Sequence, residues 1–123
     1  MTIAEALRAE GYRTMMSGKW HCGGSYPRND PGGWRPGDPK RPVPPDRGFD
    51  EWYGTPAGAG SYFNPKPLFH NHTLVEPDAD DYYYTDAVSD EAVRMIEETP
   101  GDGRPFFLHV AYTAPHWPLH APE

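Results

Sequence analysis

The chain has 123 residues, enough for one domain or part of one, with 37% hydrophobic and 14% aromatic residues to supply a core. Its formal net charge of −7 argues against a nucleic-acid partner, whose phosphates demand a basic footprint. No apolar run approaches the roughly 18 residues of a membrane helix, and a single cysteine, Cys22, can form neither an intrachain disulfide nor a thiolate metal cluster.

Sixteen prolines and thirteen glycines predict long ordered loops, and no repeat period suggests collagen or a solenoid. Met1 is followed at once by a helix pattern, with no basic segment and no apolar stretch of a signal peptide. Thr2-Ile3-Ala4-Glu5 has the form of a capping box, and Ile3, Ala6 and Leu7 share one helical face. Gly11 stands at the natural stop, so residues 2 to 10 predict a short amphipathic helix. Tyr12 to Ser17 predicts a strand, which completes an αβ unit of the kind that builds parallel sheets.

From Gly23 to about Gly60 the chain reads as loop, and Pro42-Val43-Pro44-Pro45 argues against helix there. Trp34, Phe49, Trp52 and Tyr53 predict that much of this loop is pinned down. Leu68-Phe69-His70 and Thr73-Leu74-Val75 flank Asn71-His72 as a small hairpin with Asn at the turn. Tyr82, Tyr83 and Tyr84 are expected to cover the core. Thr85 is the expected N-cap of a second helix whose apolar face carries Val88, Ala92, Met95 and Ile96. The run Phe106 to Ala111 suits a central parallel strand buried on both faces, with His109 packed inside.

Two polar clusters occupy equivalent places. Gly18-Lys19-Trp20-His21 follows the first strand, and Ala114-Pro115-His116-Trp117-Pro118 follows the last. Ligands of open α/β sheets bind at the carboxyl ends of strands, so one sheet would bring both clusters to one edge. In extended backbone, residues two apart point the same way, which would aim Lys19 and His21 at one pocket and Trp20 at the core. An ammonium and an imidazole together suit a tetrahedral oxyanion. Spacing alone leaves open a solvated lysine beside a buried imidazole. His70 and His72 form an H-x-H pair that fits a solvent-facing hairpin tip better than a metal site. His120 is a further residue that could face substrate.

Gly11-Tyr12-Arg13-Thr14-Met15-Met16-Ser17-Gly18-Lys19-Trp20-His21 resembles the sulfatase signature G-Y-x-T-x-x-(small)-G-K-W-H. In the same order, residues 2–7, Arg47 to Gly54 and Pro105 to Glu123 resemble that family's helix before the signature, its R-G-F-D-E-F-Y-G segment and its A-P-H-W-P strand and loop. The resemblance implies an α/β fold: part of an alkaline-phosphatase-like three-layer α/β/α domain with a mainly parallel central sheet. It implies a sulfuric ester hydrolase that cleaves a sulfate monoester of a small molecule or glycan. Lys19 would contact the sulfate, His21 would assist the nucleophile's aldehyde hydrate, and His116 would approach the leaving oxygen. The family also implies calcium, a formylglycine nucleophile, and a periplasmic, secreted or lysosomal setting. The C-x-P-S-R motif that yields formylglycine does not occur, since Cys22 precedes Gly23-Gly24. Asp80-Asp81 lacks the strand-end context of the family's calcium ligands, so no metal ligand is assigned. Residues 1–123 therefore read as a partial catalytic domain, without the nucleophile segment and the C-terminal part, and inactive alone. Alternatives are a phosphate or phosphonate ester hydrolase of the same superfamily, and a non-catalytic remnant.

Overall fold

The computed structural model describes residues 1–24, 37–77 and 81–123. Trp34 and Asp80 lie outside them. Helix α1 (Ile3–Ala9) carries the complete capping box, with Thr2 Oγ1 accepting from the Glu5 amide and the Glu5 carboxylate accepting from the Thr2 amide. It ends as its glycine requires. Gly11 takes φ +87°, its amide bonds Arg8, and the Tyr12 amide bonds Leu7, so two orphan carbonyls are satisfied.

Strand β1 (Arg13–Gly18) is the axis of a sheet ordered β4-β3-β2-β1-β5. It pairs in parallel with β2 (Glu51–Gly54) and with β5 (Phe106–Ala111). The hairpin β3 (Leu68–His70) and β4 (Thr73–Val75) adds antiparallel strands beyond β2. Asn71 takes the left-handed turn at φ 54°, and its side chain accepts from the Trp52 amide. The hairpin is thereby tied to β2.

Alternation along β1 divides the core. Met16 packs with Ala4 of α1, Phe49, Trp52 and Phe69 on one face. Ser17 points to the other, where its hydroxyl donates to the Val88 carbonyl of α2 (Tyr84–Glu97). There Val88 packs with Leu68, Tyr82 and Tyr84. Helices thus cover both faces of the parallel centre, giving three layers. No helix among the described residues is long and apolar enough to cross a membrane.

Four expectations change. The stretch taken as loop holds a 3-10 turn at Pro44–Arg47 and the strand β2. Prolines at the first two helical positions are tolerated because their missing N–H groups would be unpaired anyway. The second helix begins at Tyr84 with Tyr83 as N-cap, not Thr85. Tyr84 is drawn into the first turn because its ring is buried, with the hydroxyl accepting from the Thr55 amide. Among the described residues β5 pairs with β1 alone, with Phe106 43% and Val110 37% exposed. His109 is accordingly exposed rather than packed inside, since α1 lies over β1 and, among the described residues, no strand pairs with β5 on its outer side.

Candidate active site

Parallel pairing sets Gly18 opposite Ala111, so β1 and β5 release their following loops at one edge. β2 ends beside them at Gly54. The three ends are stitched together by backbone. The Lys19 amide bonds the Ala111 carbonyl at 2.8 Å, the Trp20 amide bonds Thr55, and the His21 amide bonds Pro56. Gly18 is required here: at φ +114° it would drive any added methyl into the Ala111 carbonyl group. Trp52 reinforces the junction by donating from Nε1 to the Gly18 carbonyl at 3.0 Å.

Trp20 turns into the core as expected, edge-on to Phe49 and donating from Nε1 to the Pro42 carbonyl. The alternation expected of Lys19 and His21 does not hold. The strand ends at Gly18 and the backbone turns left-handed at His21, φ 52°. His21 is exposed, and its ring lies on Gly58, where a methyl would collide with it. Lys19 is partly exposed, and among the described residues its ammonium has no carboxylate partner. That leaves a fixed positive charge at the strand-end edge.

His116 is exposed in the loop after β5. Its amide bonds the Thr113 carbonyl, and its Nδ1 lies 2.6 Å from the Trp117 carbonyl. A carbonyl can only accept, so Nδ1 carries the proton and Nε2 is the free nitrogen. Sequence order thus brings Lys19, His21 and His116 to one edge of one sheet. Gly58 and Tyr62, both on the connection after β2, touch the site and were not legible as part of it. His120 packs against Tyr62 and Phe63 and accepts on Nδ1 from the Tyr62 amide. His70 and His72 turn to different carboxylates, Glu51 and Asp46. Tyr82 and Tyr84 are buried, as expected of core cover.

Two cavities are lined by none of Lys19, His21 and His116. The larger, about 320 Å³, is lined by Asp81, Asp86, Asp90 and Glu91 beside Tyr53 and Tyr82. Four carboxylates repel a sulfate, so the cavity has the wrong sign for that ligand. The smaller sits at the opposite, N-terminal end of β1, where Arg13 and Arg104 are paired with Glu51 and Asp50. Among the described residues no three His, Cys, Asp or Glu side chains converge as metal ligands. Cys22 is free and exposed.

The sequence model of the Sulfatase family matches residues 1–123. An arylsulfatase of Klebsiella aerogenes is 34% identical over 99% of this chain and 25% of its own length. Arylsulfatase J of Mus musculus is 35% identical over 98% of this chain and 20% of its own length. The chain thus spans a quarter or less of these relatives. Among solved structures, Ps i-CgsB in complex with k-i-k-neocarrahexaose aligns with a TM-score of 0.75 and 33% identity, over 98% of this chain and 28% of that one. BT4656, solved with its substrate D-Glucosamine-2-N, 6-O-disulfate, shares the fold at a TM-score of 0.64 and 24% identity, over 95% of this chain and 19% of that one.

Proposed function

The chain belongs to the sulfatase family, with the alkaline-phosphatase-like α/β/α fold, and from that premise we propose that the protein hydrolyses sulfate monoesters to an alcohol and sulfate. Lys19, His21 and His116 are its contribution to the active site. The observation that carries the reading is the parallel register of β1 and β5, which delivers both polar loops to one edge. The Ps i-CgsB complex with a neocarrahexaose is the reason to include sulfate esters of oligosaccharides beside those of small molecules as substrates.

Attack on sulfur raises the charge on its equatorial oxygens and on the departing oxygen. The Lys19 backbone is anchored through its amide to Ala111, which roots the side chain at this edge, where its ammonium meets the equatorial charge. His116, donating from Nδ1 to Trp117, acts in its imidazolium form, giving the Nε2 proton to the leaving oxygen and remaining as the neutral ring. His21, seated on Gly58, serves the nucleophile's side of the sulfate. Calcium and formylglycine belong to the whole protein's chemistry under this reading. The described residues hold neither a metal-ligand cluster nor the cysteine motif that formylglycine needs, so no step here runs through either group.

The test is Lys19→Met in the full-length protein. It keeps most of the volume and removes the charge. Loss of one preorganised donor is worth about 100- to 1,000-fold in kcat. Lys19→Arg should also fail in large part, because a planar guanidinium does not reproduce a compact point charge. A Lys19→Met protein of parental stability, with kcat within about twofold of the parent, would remove Lys19 from the site.

A further inference from the structure

Tyr62 lies in the connection between β2 and β3 and is 2% exposed. It joins three segments that are distant in sequence. Its hydroxyl donates to the His116 carbonyl at 2.6 Å, and its amide donates to His120 Nδ1 at 3.2 Å. Its own carbonyl accepts from the amide of Tyr84, the first residue of α2, at 2.6 Å. Nδ1 of His120 can accept only when the ring is neutral with its proton on Nε2. The rings of Tyr62 and His120 meet edge to face with centroids 5.6 Å apart.

His116 makes its other hydrogen bonds within its own loop, to Thr113 and Trp117. Among the described residues, the Tyr62 hydroxyl is therefore the one hydrogen bond that ties His116 to the rest of the fold. The donor is durable. Burial, and secondarily Tyr83, push the phenol above its ordinary range, so it keeps its proton at neutral pH. A loop that carries an exposed catalytic imidazole needs such an anchor, because misplacement by about 1 Å can cost about 100-fold in rate.

We propose that Tyr62 is a positioning residue, whose buried hydroxyl fixes the His116 backbone so that Nε2 meets the departing oxygen. The inference rests on the reading of His116 as the proton carrier to that oxygen. It separates from a merely structural role because proton assistance matters most for poor leaving groups. An alkyl sulfate needs the proton, whereas nitrophenyl sulfate departs as a stable phenolate.

The experiment measures kcat and KM on both esters for the full-length protein and for Tyr62→Phe, His116→Ala and the double variant. Tyr62→Phe should lose about 10- to 100-fold in kcat on the alkyl sulfate, with KM held. It should lose no more than about threefold on nitrophenyl sulfate. Added to His116→Ala, it should cost nothing further on either ester. Equal losses on both esters, or a loss that persists in the His116→Ala background, would overturn the inference. Equal losses from His116→Ala itself would instead overturn the reading of His116, and the inference with it. If Tyr62→Phe does not fold, 4-fluorophenylalanine at position 62 keeps the shape and removes the donor. It should show the same split between the two esters, and equal losses on both would overturn the proposal.

Discussion

A methyl group added at Gly18 would be driven into the carbonyl group of Ala111 on the neighbouring strand. The residue also sits at φ +114°, where a side chain costs about 1–3 kcal/mol. Because the obstacle is backbone, the overlap is relieved only by parting β1 from β5. That movement breaks the 2.8 Å bond from the Lys19 amide to Ala111 and loosens the 3.0 Å bond from Trp52 Nε1 to Gly18. A buried donor left unpaired costs about 1–3 kcal/mol. Gly18→Ala should therefore lose about 2–6 kcal/mol, a large part of a typical domain stability of about 5–15 kcal/mol. Gly60→Ala is the matched control, with no atom within 4 Å of the added methyl and no left-handed φ. It should stay within about 0.5 kcal/mol. Denaturant unfolding of the full-length variants gives both values. A Gly18→Ala protein as stable as Gly60→Ala would refute the account of how β1 and β5 meet at the site.

Glu51 is 14% exposed at its side chain and is bridged by Arg94 at 2.6 Å, Arg13 at 3.1 Å and His70 at 3.5 Å. Burial pushes its carboxyl up, but Arg94, with Arg13 and His70, outweighs burial and holds it below its usual 4.5. A lowered folded-state pKa contributes stability above the unfolded value and loses it as pH falls through the folded one. Thermal unfolding from pH 7 to pH 3 should show that loss below about pH 4.5, and Glu51→Gln should flatten it while costing about 1–3 kcal/mol at neutral pH. An unchanged acid limb in Glu51→Gln would assign it to other carboxylates. Gly58→Ala should displace the His21 imidazole that lies on it, lowering kcat by about 10-fold or more. The melting temperature should barely move, since the ring ends an exposed side chain; an unaltered kcat would mean that the seat on Gly58 has no catalytic purpose.

Local chemistry made some of this structure legible and left the rest hidden. The capping box at Thr2, the stop at Gly11 and the Asn71 turn are each decided by residues within a few positions, and each formed as read. β2 was not legible. Its four residues follow a proline-rich stretch, and what makes them a strand is long-range. Asp50 and Thr14 exchange side-chain and backbone bonds across 36 positions, and Trp52 reaches Gly18 across 34. β5 pairs with β1 alone among the described residues, where a strand covered on both sides was expected. An apolar run predicts burial, but whether a strand is central or at an edge depends on neighbours that its own residues do not encode.

The same division runs through the site. Lys19, His21 and His116 could be brought together from sequence because two αβ units in one parallel sheet must deliver their following loops to one edge. Gly58, Thr55 and Tyr62 could not, because they follow the strand that went unrecognised. Yet that connection governs the site's geometry: Thr55 and Pro56 hold the Trp20 and His21 amides, Gly58 seats the His21 ring, and Tyr62 anchors His116. The residues proposed to carry the chemistry follow β1 and β5, and the loop after β2 is the template against which they are set. Substitutions in that loop should therefore act on rate through residues they do not replace, with the effect of Gly58→Ala carried by His21 and that of Tyr62→Phe carried by His116.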